Sequence, residues 1–240
     1  MVETYYAAAY WRARKESSDE CASRVVALLE SIAGVEASFA SWFRQSKARK
    51  DAWKKPVTPN QTELAKALER TKDRHHEDLG YRIGGWNGAS EDSDACSFDA
   101  AVGIYSEWVN NFWLFELPIH GASAERVLTA RVLSGLLRGM ATALDPDWGV
   151  AMSHAHREIA DPTGRANVQI GWVTYLAHRL GVVPPLPAPV RIEPVEDKGT
   201  LIVLTPERLT ADNPEHVALA ERVRELLDRA GLLKPLQAQP

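Results

Sequence analysis

The sequence predicts an α+β fold in one domain, with helices packed on a largely antiparallel mixed sheet. Short apolar runs near 81–86, 98–104 and 112–117 follow one another at the spacing of a meander. Longer stretches with apolar residues at helical spacing flank them at 17–34, 123–144 and 213–231. With 45% hydrophobic and 25% charged residues, the 240-residue chain has the means to build an ordinary core. The domain is expected to span 1–240, with a stiff connector at about 183–194 and a frayed tail at about 235–240.

Taken in order, the segment from Glu3 to Trp11 is aromatic, lacks helix caps and reads as a strand. A helix starts at Ser17 or Ser18, where Ser17 and Glu20 have capping-box spacing, places Ala22, Val25, Leu29 and Ile32 on one side, and stops at Gly34. Thr58-Pro59-Asn60-Gln61 offers an N-cap, a proline at the first helical position and a Gln at the third, opening a short helix through Leu64 and Leu68. The charged stretch Lys72 to Asp78 reads as its solvated end. Next comes a strand from Tyr81 into Gly84-Gly85-Trp86-Asn87-Gly88, where Asn87-Gly88 favours the positive φ of a tight hairpin.

After an acidic loop from Ala89 to Asp94, Phe98, Ala100, Val102 and Ile104 alternate with other residues as a half-buried strand does. The run from Phe112 to Leu117 is apolar on both faces apart from Glu116. One long helix is expected over 123–144, closed by Asp145-Pro146. Strand-like runs follow at 149–153 and 168–176, separated by a turn at Asp161-Pro162-Thr163-Gly164. Pro184, Pro185, Pro187, Pro189 and Pro194 make the next stretch extended. A buried strand at 200–205 and a helix capped by Asn213-Pro214-Glu215, carrying Val217, Ala220, Val223 and Leu227, complete the chain.

A net charge of −4 argues against a nucleic-acid scaffold, which needs clustered cations to release counterions. One basic cluster exists, Arg44, Lys47, Arg49, Lys50, Lys54 and Lys55, interleaved with Trp42, Phe43 and Trp53; a solvated face with tryptophan anchors accounts for it better than a single-strand clamp. Glu3 stands where a secretory signal would be positive, and no apolar run approaches the ~20 residues of a membrane span, so a cytoplasmic protein is expected. Cys21 and Cys96 have neither disulfide-framework nor zinc spacing and read as buried thiols.

Ser153-His154-Ala155-His156 is the most enzyme-like element: on a strand, His154 and His156 would point to one face and could share a metal ion, making a metal-dependent hydrolase the alternative function. Asp145, Asp147, Glu158 and Asp161 lie nearby, but in no recognised ligand spacing, so no metal, cofactor or catalytic residue is expected. Tryptophan stands out instead, with eight in the chain. Trp86 and Trp108 sit at turns beside polar residues, and with Asn87, Glu91, Asp92, Asp94 and Glu107 they would form an acidic rim around aromatic anchors, provided the meander loops cluster at one end. Such a rim would suit a basic protein partner.

Three segments, Tyr5-Tyr6-Ala7-Ala8-Ala9-Tyr10-Trp11-Arg12, Gly84-Gly85-Trp86-Asn87-Gly88, and Leu204-Thr205-Pro206-Glu207 with Asn213-Pro214-Glu215-His216, resemble the immunity protein 52 family over nearly the whole chain. Trp86-Asn87-Gly88 matches that family's Trp-x-Gly motif. The resemblance implies a cytosolic antidote to a polymorphic or contact-delivered toxin, of type VI secretion, with a toxin domain similar to restriction-endonuclease-fold nucleases. It implies neutralisation by binding and supplies no catalytic residues. The acidic loops would then face the basic surface that such a nuclease presents to DNA, with inhibition away from the toxin's active site as the equal alternative.

Overall fold

The computed structural model describes residues 2–44, 46, 48–73, 75–161 and 168–236. Eight strands form one sheet: β1 Tyr5–Trp11, β2 Tyr81–Trp86, β3 Ser97–Val102, β4 Asn111–Glu116, β5 Trp148–Ser153, β6 Val173–Ala177, β7 Arg191–Val195 and β8 Gly199–Val203. Their order is β2-β3-β4-β1-β5-β6-β8-β7, with every pair antiparallel, so the predicted α+β class holds on a sheet that is not mixed. β1 lies inside the sheet, pairing with β4 on one side and β5 on the other. Its Ala7, Ala8 and Ala9 are 0% exposed.

Because side chains alternate across a strand, Tyr5, Ala7, Ala9 and Trp11 face one way and Tyr6, Ala8 and Tyr10 the other. The first face carries the main core. Helix α1, Ser18–Ala33, starts at the predicted capping box: the Glu20 amide donates to Ser17 Oγ at 3.3 Å, and the Ser17 amide to the Glu20 carboxylate at 2.8 Å. It packs beside α5, Ala130–Leu144, across Gly135 and Gly139, where an added Cβ would lie 2.8 Å from Val35 and 3.0 Å from Ile32. Leu137 of α5 reaches Gly149 of β5, and aromatic residues of β3 and β4 fill the other end, with Phe98 stacked on Trp113 at 4.8 Å between centroids.

On the second face, β5, β6 and β8 are buried beneath later chain. Residues 168–171, predicted as strand, are irregular, and only Val173–Ala177 joins the sheet. Gly171 crosses β5 so closely that an added Cβ would lie 2.6 Å from Val150 and 2.7 Å from Met152. A backbone pressed against side chains in this way cannot lie alongside β5 as a strand neighbour. Helix α7, Pro214–Arg229, has Asn213 as N-cap and Pro214 in its first turn, as expected, and buries Ala220, Val223 and Leu227.

Other boundaries differ for local reasons. Helix α3 is Gln61–Glu69, starting two residues later than predicted, because Asn60 accepts the Glu63 amide at 3.0 Å and leaves Pro59 outside. The expected long helix is two, α4 Gly121–Val127 and α5, at 66° to each other. Thr129 makes the break by capping α5 through the Val132 amide at 3.3 Å. The connector's last residues form β7, where Pro194 is tolerated because the strand is an edge. The basic stretch contributes only the one-turn helix α2, Arg49–Ala52. Lys47, the turn residues 162–164 and the last four residues of the predicted tail lie outside the described residues.

Asp147, 1% exposed, ties the end of β1 to the turn after β6. It accepts the Arg12 amide at 2.9 Å, the Arg12 guanidinium at 3.1 Å and Arg179 Nε at 2.7 Å. Burial pushes the carboxyl up, but the Arg12 amide and the Arg179 and Arg12 guanidinium groups outweigh it and hold the group below its ordinary range. Asp147→Asn should therefore cost about 2 kcal/mol in urea unfolding at neutral pH. The stabilisation is complete above the unfolded pKa of about 3.9 and fades as pH falls through the lower folded value. The gap between wild type and variant should close in acid; a gap unchanged at the lowest pH that keeps both folded would show that the charge is not what matters.

Candidate functional site

Trp86 ends β2 inside a nest of its own chain. Phe43 and Trp86 exchange backbone hydrogen bonds at 2.7 and 2.9 Å, Trp53 stacks on the Trp86 indole at 6.3 Å and 24°, and the Arg49 guanidinium sits 5.7 Å from the ring centroid. The surrounding glycines permit this packing. An added Cβ would lie 2.4 Å from the Phe98 ring at Gly85 and 2.6 Å from the Phe43 ring at Gly88, whose φ is +79°. Gly88 has the expected positive φ, but the tight hairpin is absent, since β2 and β3 are joined by residues 87–96 and the Asn87 amide donates to the Cys96 carbonyl at 2.9 Å. Asn87 instead turns the chain locally, its side chain accepting the Ala89 amide at 3.3 Å.

Within that connection Glu91 and Asp92 are exposed and Asp94 is half-buried. Arg49 pairs with Asp92 and donates to the Ser90 carbonyl. The basic stretch and the acidic loop thus meet at the same end of the sheet, and part of the acidic rim is neutralised from within. Glu107 and Trp108 are elsewhere. They lie between β3 and β4, so they project from the opposite end of β3, one six-residue strand or roughly 20 Å away. Loops before and after a strand cannot share an end, and the expected single cluster is two.

Trp108 is 70% exposed, beside exposed Glu107 and Val109. The loop carrying it is anchored by Asn111, buried at 0%, which accepts the Ile104 amide at 2.8 Å and donates to the carbonyls of Ile104 and Arg12 at 2.9 and 3.1 Å. Tryptophan exposed on an anchored loop pre-organises a large contact area.

The histidines do not form a shared site. Ser153 ends β5 and caps α6, His154–Ala160, by accepting the His156 amide at 3.1 Å. On a helix, positions i and i+2 diverge by roughly 200°. His154 lies against Glu116 at 3.1 Å and the Tyr6 ring at 4.8 Å, whereas His156 is 1% exposed, with burial holding its imidazole below the ordinary range. Among the described residues, no three His, Cys, Asp or Glu side chains are grouped to hold a metal ion. Cys21 and Cys96 are both buried, and burial pushes the Cys21 thiol up to about 12, where it is a poor nucleophile at neutral pH. A cleft of about 790 Å³ lies between α6 and α7, but its Glu221 and Arg224 are already joined by two hydrogen bonds of 2.8 and 2.6 Å.

A further surface went unnoticed in the sequence. On the second face, the half formed by β2, β3, β4 and β1 leaves Phe112, Leu114 and Tyr10 half-buried and Arg82 and Asp99 exposed. The signal was the β4 run itself, apolar on both faces, as in a strand covered on both sides.

These elements define an α+β protein with an open antiparallel sheet whose distinctive features are surfaces. The family model described as immunity protein 52 matches residues 3–236, and the chain belongs to that family. Among solved structures, the Pseudomonas aeruginosa T6SS protein PA0821 shares the fold, with a TM-score of 0.53 and 13% identity over 93% of this chain and 73% of that one. No curated protein matches the chain significantly. Among the described residues, no single helix is long and apolar enough to cross a membrane.

If Gly85 is required for close packing, Gly85→Ala should cost about 2 kcal/mol, because the Phe98 ring must move. Gly34→Ala, which meets nothing within 4 Å, should change stability by less than about 0.5 kcal/mol. Equal melting temperatures for the two variants would contradict this role for the glycine.

Proposed function

We propose that the chain is a cytoplasmic immunity protein that binds and neutralises a cognate toxin of a polymorphic, type VI-delivered system, a nuclease of restriction-endonuclease-like fold. The observation that carries this reading is the family match from residue 3 to 236. The T6SS protein of similar fold supports the secretion setting. The chain acts as a single domain by occupying toxin surface, without catalysis, cofactor or contact with nucleic acid. Trp86, Asn87, Glu91, Asp92 and Asp94 contribute from one end of the sheet, and Glu107 and Trp108 from the other. A nuclease presents cations to its substrate, which uncompensated acids would capture.

The test is calorimetric titration of the product of the neighbouring toxin gene, with rescue of growth when both are expressed. Tight binding with rescue is expected, whereas neither would overturn the reading. Trp108→Ala should weaken binding by at least tenfold, about 1.4 kcal/mol. Replacing Glu91, Asp94 and Glu107 together by Ala should slow association most at low salt; an association rate that does not respond would remove the acidic loops from the interface.

A further inference from the structure

We infer that the uncovered half of the sheet's second face is the seat of the toxin, and that it receives an amphipathic helix of that toxin laid across β2, β3, β4 and β1. The inference rests on the inhibitor reading and adds where the partner docks and what it must present. The register places Gly84, Asp99, Leu114 and Ala8 in one row and Arg82, Ala101, Phe112 and Tyr10 in the next. Ala8 and Ala101 are 0% exposed, so Leu114 and Phe112 rise from a low apolar floor. Arg82 covers part of Phe112, its guanidinium 5.5 Å from the ring centroid. Helix α6 walls the inner side, where His154 meets Glu116 at 3.1 Å and the Arg157 charge acts on Tyr6 and Tyr10.

Strand β4 presents apolar Phe112 and Leu114 on its second face, and the described chain leaves both only half-buried. Four strands at ~4.8 Å spacing are roughly 19 Å wide, enough for one helix of about 10 Å diameter and its flanking side chains. The floor is ringed by charges that form no ion pair among the described residues: Asp99, Arg82 and Arg157. They specify the occupant, an apolar stripe with a Lys or Arg opposite Asp99 and an Asp or Glu opposite Arg82 or Arg157.

Docking on the face is favoured over strand addition at the neighbouring edge because that edge is plugged. The Arg82 amide and carbonyl both bond Thr71 Oγ1, at 3.0 and 2.7 Å, and Trp86 is paired with Phe43, which leaves Gly84 alone between them. The face also continues to both loop sites, since Trp86 lies in its outer row and the β3–β4 loop extends from its other end. A toxin seated here would reach both ends of the sheet at once.

The test is titration of the neighbouring toxin gene's product against wild type, Asp99→Lys, Leu114→Lys and, as control, Ile192→Lys, whose residue is exposed on β7 at the far edge of the sheet. Asp99→Lys and Leu114→Lys should each bind at least tenfold more weakly, and Ile192→Lys as wild type does. Asp99 is exposed, so its variant keeps the test valid if Leu114→Lys fails to fold. No binding by wild type would remove the inhibitor reading and this inference with it. Wild-type binding that Trp108→Ala weakens but Asp99→Lys leaves unchanged would overturn the sheet-face seat alone. Loss of a wild-type dimer in Asp99→Lys by light scattering, with toxin affinity unchanged, would assign the face to a second copy and equally overturn it.

Discussion

Pairing of β1 along both of its edges is the constraint to which everything else answers. The strand comes first in sequence but lies fourth across the sheet, so its partners are supplied more than a hundred residues later by β4 and β5. Every backbone group on it must find a partner inside the protein, and the row of Tyr5, Ala7, Ala9 and Trp11 must be covered by the main core. Ala7 and Ala9 let helix and sheet approach closely on one side, while Tyr5 and Trp11 fill the remaining space there. The long-range pairing also means that neither half of the sheet can close without the other's strands.

Alternation along β3 decides where function can sit. A meander reverses direction at each strand, so its successive loops take opposite ends, and polar residues adjacent in sequence are separated by the strand between them. Trp86 and Trp108 look equivalent as residues beside turns, but one is wrapped by Phe43, Trp53 and Arg49 while the other stands free on a loop held by Asn111. The difference lies in the neighbours that the fold provides. The acidic and basic stretches likewise look like independent charge runs, yet Arg49 and Asp92 meet across more than forty residues. Charge counted along a chain is therefore a poor measure of the field a partner meets.

The second face has a division of labour suited to a binding protein of the immunity protein 52 family. Its β5, β6 and β8 half is sealed by residues 168–171 and α7, which complete the core. The β2, β3, β4 and β1 half is left with half-buried apolar side chains and with charges that form no ion pair among the described residues. Apolar surface of this kind costs solubility unless it is used, and plugging the β2 edge with Thr71 and Phe43 limits the alternative of pairing with stray strands.

Much of the architecture was legible because it depends on local rules. The Ser17–Glu20 box, the Asn213-Pro214 cap, the 81–86 strand and the meander are each written in a few adjacent residues whose hydrogen bonds and periodicity act at short range. Local rules failed where tertiary contact prevails: residues 168–171 have strand composition but cross over β5. Ser153-His154-Ala155-His156 failed differently, since its local Ser153 cap was obscured by the apolar strand that runs into it. Thr129 did carry a cap signal, which the continuous apolar periodicity on either side obscured. The sequence by itself thus determined the α+β class, most elements and the family resemblance. Only the tertiary structure decided which loops share an end, which acids are already paired and which half of a sheet face stays open, because each depends on residues far apart in the chain meeting in space.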